Sequence, residues 1–168
     1  LPPFIEEEMK QIGTELKLVK IEKMYPDGKM DIKTEGLGIF RIIEFHKDVK
    51  DKLYHGATIE DVPFETQSGI DENREAIFKR IGELFKVMNI RKKLPQNFQL
   101  LETFRIAQKV GFNLQQKLDM LQLFSELERQ NYMIDHLNNL LPMVREMESL
   151  RQRIQMNGHF KNILPPKV

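Results

Sequence analysis

Two different spacings of hydrophobic residues divide this chain. Between residues 12 and 66, apolar residues mostly alternate with charged ones, which is typical of β-strands. In the first predicted strand, residues 14–24, Leu16 and Leu18 share one face, whereas Val19 and Ile21 share the other. This change of phase predicts a β-bulge after Leu18, or a strand that is covered on both faces.

A turn and a second strand follow. Tyr25-Pro26-Asp27-Gly28 predicts a hairpin turn, because proline presets φ and glycine accepts positive φ. Gly36 and Gly38 interrupt the next alternation and predict a bend between two strands. Apolar residues in both phases of residues 39–45 favour a central strand, and residues 57–65 form a plausible last strand.

From residue 70 onward the apolar spacing becomes helical. Asp71 is predicted to cap a first helix, Gly111 to end a second one that starts near Phe98, and Asn113 to open a third. The buried face of the third helix is predicted at Leu114, Leu118, Leu121 and Phe124.

A long fourth helix is predicted to start at Ser125, which with Glu128 forms a capping-box pattern. Pro142 lies inside its apolar stripe and predicts a kink or a break. Asn157-Gly158 is a stop signal, and Pro165-Pro166 marks a short non-helical tail. Strands followed by helices predict an α+β protein, with a β subdomain at residues 1–66 and a helical subdomain at 67–168.

Composition restricts the function more than it identifies it. The 168 residues contain 26 Lys and Arg against 25 Asp and Glu, so the basic excess of most dedicated nucleic-acid binders is missing. There is no cysteine, which excludes disulfides, thiolate nucleophiles and cysteine-based zinc sites and suits a reducing compartment. No apolar run approaches the ~20 residues that span a bilayer, and we expect a cytoplasmic protein.

Catalytic motifs are weak throughout. Gly36-Leu37-Gly38 begins like a dinucleotide fingerprint, but Arg41 stands at the third glycine position and no helix follows. A site of two histidines and one carboxylate can be drawn from His46, His55 and a nearby aspartate across a hairpin, but surface loop positions are the simpler interpretation. We therefore expect no catalytic, cofactor-binding or metal-binding residues. An enzyme of unrecognised type would need a deep pocket with converging carboxylates or histidines.

The two halves together carry a family resemblance. In the β half the matching segments are Ile12-Gly13-Thr14, Tyr25 to Ile32, Glu35-Gly36 and Phe40-Arg41-Ile42. In the α half they are Arg105-Ile106-Ala107, Gly111-Phe112, Lys117 to Gln122, Glu128-Arg129-Gln130, Leu140-Leu141-Pro142 and Asn157 to Lys161. In this order, over roughly residues 10–163, they resemble the N-terminal substrate-binding domain of Lon proteases. The stand-alone bacterial proteins built from that domain alone are more similar still.

The resemblance implies a small PUA-like antiparallel β-barrel followed by a helical bundle, and a domain that handles protein substrates without ATPase or protease activity. The family domain begins with strands that precede the region matched here. We therefore expect ~40–60 further N-terminal residues in the natural protein, enough for two strands and a helix. A barrel without them would expose a strand edge, which also offers a route to self-association.

The leading hypothesis is a non-catalytic module that binds unfolded or extended polypeptide segments. Apolar residues of the β half beyond the needs of a small sheet are the candidate binding residues, although each of them is as well explained by packing. These candidates are Phe4, Ile5, Leu53, Tyr54, Val62 and Phe64. The alternative is a PUA-like RNA-binding module with Lys29, Lys33, Arg41 and Lys47 along one strand face, against which the balanced charge argues.

Overall fold

The computed structural model describes residues 4–91 and 102–160, which fall into two compact units. One unit combines the chain up to Glu65 with Phe112–Ser125, and the other combines Thr66–Gly111 with the chain from Glu126. The strands are β1 (Phe4–Ile5), β2 (Glu8–Met9), β3 (Ile12–Met24), β4 (Met30–His46) and β5 (Gly56–Val62). The helices are α1 (Asp71–Val87), α2 (Thr103–Ala107), α3 (Leu114–Leu121) and α4 (Glu126–Phe160). This succession confirms the α+β class.

The main sheet of the first unit is antiparallel, in the order β3-β4-β5. Its central strand is β4, as the apolar residues in both phases predict, and Ile39, Phe40 and Ile42 are buried. The strands β1 and β2 form a separate two-stranded sheet. Two consecutive residues with positive φ, Glu6 and Glu7, join them, which is the conformation of a tight hairpin turn.

The predicted turn between β3 and β4 is confirmed. The Gly28 amide donates to the Tyr25 carbonyl at 3.0 Å, and the Tyr25 amide donates to the Lys29 carbonyl at 2.9 Å. Gly28 has φ of 85°, which only glycine adopts without strain. The Asp27 carboxylate accepts from the Lys29 amide at 3.2 Å, so side chain and backbone close the turn together.

The predicted bend at Gly36 and Gly38 is wrong. Residues 30–46 form one strand, and the pairing of Glu15 with Gly38 but of Leu16 with Gly36 leaves Leu37 as the extra residue of a bulge. A bulge absorbs one residue and a local twist without ending the ladder, so the hairpin continues through it. The bulge predicted after Leu18 is confirmed, since Leu18 pairs with Thr34 while Lys20 already pairs with Lys33.

The helix α3 belongs to the first unit. Asn113 opens it as predicted, with a reciprocal capping box in which Asn113 Oδ1 accepts from the Gln116 amide at 2.8 Å. Its buried positions are Leu118 and Met120, whereas Leu114 is exposed, so the predicted buried face is only partly right. A helix of eight residues makes two turns, and its first apolar residue lies at the solvent-facing end.

In the second unit, α1 and the first half of α4 run parallel. Pairs of polar side chains join them at a nearly constant separation in sequence, Asn73 with Asn131 at 2.8 Å and Arg80 with Asn138 at 2.7 Å. Along this contact the helices bury Ile77, Ile81, Leu84, Met133, Leu137 and Leu141. The N-cap residue of α1 is Ile70 and not Asp71, which accepts from Arg74 within the first turn.

The helix α4 is a single element of 35 residues that contains Pro142. It starts directly after Ser125 and continues to Phe160, past the predicted stop at Asn157-Gly158. One glycine costs about 1 kcal/mol in a helix, which is too little to end it alone. The predicted helix start near Phe98 and the Pro165-Pro166 tail lie outside the described residues.

A buried polar cluster anchors the start of α4. The guanidinium of Arg129 is fully buried, bonds the Glu126 carboxylate at 3.0 Å and lies over the Phe104 ring at 4.4 Å. The Thr103 hydroxyl donates to the same carboxylate at 2.8 Å. A buried charge is stable only when it is paired and hydrogen-bonded, so these groups fix how α2 meets α4.

Candidate functional site

A two-stranded arm extends from the main sheet. Because β5 pairs only with residues 39–46 of β4, residues 16–36 of β3 and β4 have no other strand beside them in the described part of the chain. We call these residues the hairpin arm. An isolated two-stranded hairpin is only marginally stable in water, so the composition of its two faces matters.

One face of the hairpin arm is apolar and open to solvent. Its cross-strand pairs include Ile21 opposite Ile32 and Met24 opposite Met30, and side chains of directly paired residues lie on the same face. We call this surface the apolar arm face, and its six side chains are between 38% and 65% exposed. It consists of Leu16, Leu18, Ile21, Met24, Met30 and Ile32.

Bulges create this face. Strict alternation would place Ile21 and Leu18 on different faces of the sheet, as the sequence predicts. Val19 is an extra residue, however, and it returns Ile21 to the face of Leu18. A second register shift between Ile21 and Lys23 does the same for Met24. The predicted separation of Ile21 from Leu16 and Leu18 is therefore wrong, because the extra residue at Val19 shifts the alternation of all later residues by one position.

The apolar arm face continues a buried surface. Ile12 and Thr14 precede Leu16 in the alternation of β3, and Thr14 pairs with Ile39, which in turn pairs with Val62. Ile12, Ile39 and Val62 are buried. One apolar stripe thus runs from the core of the first unit, where its side chains are buried, onto the arm, where they are exposed.

The opposite face of the arm is charged. Its cross-strand pairs are Lys17 with Glu35, Lys20 with Lys33, and Lys23 with Asp31. These pairs contain four lysines and two carboxylates, so the arm is amphipathic and its polar face has a basic excess.

The tip of the arm is held by polar side chains. The Tyr25 hydroxyl donates to Asp31 at 2.8 Å, and this hydrogen bond to a carboxylate raises the pKa of the Tyr25 phenol above its ordinary value. Lys29 lies 2.8 Å from Asp27 and lowers the pKa of that carboxyl. The Lys23 ammonium lies 4.4 Å from the centre of the Tyr25 ring.

The binding residues predicted from sequence occupy different environments. Phe4 and Ile5 form β1, Leu53 and Tyr54 lie exposed between β4 and β5, Val62 is buried at the end of β5, and Phe64 follows it half-buried. Of these, Leu53 and Tyr54 offer open apolar surface, and Val62 packs in the core beside Ile39.

The sequence prediction missed the hairpin arm as a site because it assigned apolar residues of strands to the core. A signal was present: apolar residues alternate on both strands of one hairpin over its whole length. The sequence does not show that this face lacks a covering layer among the described residues, where its six side chains are between 38% and 65% exposed.

The two described histidines of the first unit, His46 and His55, each contact a neighbouring polar group. His46 Nε2 lies 2.7 Å from Thr58 Oγ1, and His55 Nδ1 approaches the Lys47 carbonyl while its ring stacks obliquely on Phe45. Within residues 4–91 and 102–160, no group of three or more histidine, aspartate or glutamate side chains is arranged to hold a metal ion.

The cations proposed for RNA do not all lie on one face of the sheet. Lys33 lies on the charged arm face, whereas Arg41 pairs with Ile12 and Glu60 on the opposite side of the sheet. Lys29 is engaged with Asp27 at the arm tip. The expected alignment along one strand face is therefore wrong.

An antiparallel sheet with helices in separate segments, and an open apolar face continuous with its core, is the architecture of an α+β binding domain. The family described as ATP-dependent protease La (LON) substrate-binding domain matches residues 5–148, and the chain belongs to this family. No curated protein matches the chain. Among the described residues, no helix has the length and apolar character needed to cross a membrane.

Proposed function

We propose that this substrate-binding domain binds unfolded or extended segments of other proteins on the apolar arm face, without ATPase or protease activity of its own. The observation that carries the proposal is the group of six half-exposed apolar side chains on one face of the bulged hairpin arm. Monomeric proteins rarely expose a contiguous apolar row of this kind unless it binds something.

The face of the arm is better suited to this role than its edge. The outer edge of β3 carries the bulged residues Val19 and Glu22, and bulges interrupt the spacing of amide and carbonyl groups that a further strand needs. The same strand also carries Lys17, Lys20 and Lys23, and lysines on an edge strand disfavour pairing with another chain. Self-association by pairing of the β3 edges, the other proposal for this region, meets the same obstacle.

The dimensions suit a short extended segment. Nine residues of β3, from Leu16 to Met24, span roughly 30 Å at about 3.3 Å per residue. Burial contributes about 25 cal/mol per Å² of apolar surface, but ordering an unfolded segment offsets much of this gain. We therefore expect micromolar affinity and tolerance of many sequences.

The proposal can be tested by binding of a fluorescent, reduced and carboxymethylated protein that cannot fold. The variant Leu18→Ser with Ile32→Ser removes two apolar side chains from the centre of the arm face. The matched control, Lys20→Ser with Lys33→Ser, changes two residues of the same strands on the charged face. A third variant, Leu53→Ser with Tyr54→Ser, tests the exposed loop predicted from sequence.

We expect the arm-face variant to lose at least about tenfold in affinity, because two central contacts of about 1 kcal/mol or more each disappear. The charged-face control should bind within about twofold of the unchanged protein. Equal affinity of the arm-face variant and its control would refute the arm face as the binding surface. A loss confined to the loop variant would move the site to Leu53 and Tyr54.

A further inference from the structure

The second half of α4 carries an apolar seam that the protein-binding proposal does not use. Met143, Met147, Leu150 and Ile154 are spaced by four, three and four residues and are between 49% and 70% exposed. This spacing is the heptad pattern by which one helix packs lengthwise against another. We call these four residues the α4 seam.

The α4 seam faces away from α1. Leu141 is buried and Arg145 bonds Glu83 of α1 at 2.9 Å, so these positions mark the side of α4 that packs on α1. At 3.6 residues per turn, Met143 and Met147 lie about half a turn from them. Within the described part of the chain, the seam therefore lies on the side of α4 opposite to α1, with its side chains exposed.

The charged residues beside the seam are self-complementary, which means that those of one copy can pair with those of a second copy. Glu146 and Arg153 each precede a seam residue by one position, at Met147 and Ile154, and both are exposed. In an antiparallel pair of helices, such positions of one helix lie beside the equivalent positions of the other. Glu146 of each copy would then meet Arg153 of the other, twice by symmetry.

We propose that the α4 seam binds a second copy of this chain as a short antiparallel coiled coil. Met143 packs against Ile154 of the other copy, and Met147 packs against Leu150. The arrangement is two-fold symmetric, buries the same surface on both copies and opposes their helix dipoles.

The seam is only two heptads long, so the dimer is weak. Its buried area lies below the roughly 1,200 Å² of stable interfaces, and we expect a dissociation constant on the order of 100 µM. The full chain should shift from monomer to dimer over this concentration range in sedimentation velocity.

Charge reversal tests both the seam and its direction. Glu146→Arg places two arginines beside Arg153 of the other copy and should weaken dimerisation at least about fivefold at low salt. Adding Arg153→Glu to the same chain restores the pair and should restore the dimer. In a parallel coiled coil Glu146 would face Arg151 instead, and the double variant would stay impaired.

An apolar substitution supplies the second test. Met147→Glu should abolish the dimer, whereas Gln152→Glu adds the same charge on the α1 side and should leave it within about twofold. Circular dichroism verifies that both variants stay helical. A chain that remains monomeric at millimolar concentration, a dimer unaffected by Met147→Glu, or failure of the double charge reversal to restore it would each overturn the proposal.

Discussion

At the scale of single residues, Gly69 is closely packed beside the buried cluster of α4. A β-carbon added to Gly69 would lie 2.1 Å from Gln130 Nε2 and 2.8 Å from Glu126 Cγ. Gln130 accepts from the Ile70 amide at 3.0 Å, and Glu126 holds Arg129 and Thr103. Neither neighbour can move without loosening a buried polar contact.

Gly69→Ala should therefore destabilise the protein by about 1–3 kcal/mol, as overpacking against fixed groups does. The measurement is the free energy of unfolding from urea denaturation. Gly36→Ala is the matched control, because its β-carbon would meet only Thr14 Cγ2, at an ordinary 3.6 Å. The control should stay within about 0.5 kcal/mol. Equal effects of the two substitutions would contradict the close approach at Gly69.

At the scale of elements, α4 is unusual in continuing through Pro142. An interior proline removes a backbone hydrogen bond and clashes with the preceding turn, at a cost of about 3 kcal/mol. The helix persists because its first half is buried against α1, through Met133, Leu137 and Leu141. The packing of α4 on α1 therefore outweighs the local backbone penalty of Pro142, which lies on the exposed face of the helix.

Pro142→Ala should raise the free energy of unfolding by about 1–3 kcal/mol, because it restores the missing hydrogen bond. Asn139→Ala, another exposed position of the same helix, measures the gain from helix propensity alone, which should not exceed about 0.7 kcal/mol. A loss of stability in Pro142→Ala would mean that α4 packs on α1 only with the shape that proline imposes.

At the scale of the whole molecule, stability should be uneven. Residues 39–42 of β4 lie between two strands and are largely buried, whereas the hairpin arm has one partner per strand and an open apolar face. In the second unit, α1 and the first half of α4 cover each other. Regions with few buried contacts open at lower free energy than the core.

Hydrogen exchange should show this order directly. Paired amides of the arm, residues 16–36, should exchange at least about 100-fold faster than those of residues 39–42 and of α1. An excess of the unfolded probe protein should slow exchange in the arm and leave α1 unchanged. Arm amides protected as strongly as the core without any partner would contradict the picture of an open, marginal hairpin.

Much of this architecture follows from local sequence. Tyr25-Pro26-Asp27-Gly28 specifies the turn through the geometry of proline and glycine, and Asn113 specifies a helix start through its own side chain. The separation of strands from helices follows from the two spacings of apolar residues. Each depends on interactions within a few positions, which a sequence shows directly. The PUA-like barrel stays a prediction.

Tertiary structure alone decided which apolar residues became surface. Leu18 and Ile32 have the same alternation as Ile39 and Val62, yet the first pair is open and the second is buried. Ile39 and Val62 are paired in the three-stranded part of the sheet, where β5 lies beside β4, whereas Leu18 and Ile32 lie in the two-stranded arm. Burial depends on partners distant in sequence, and a single bulge moves every later side chain to the other face. The sequence therefore determined the elements, and the tertiary structure determined which apolar face they leave open.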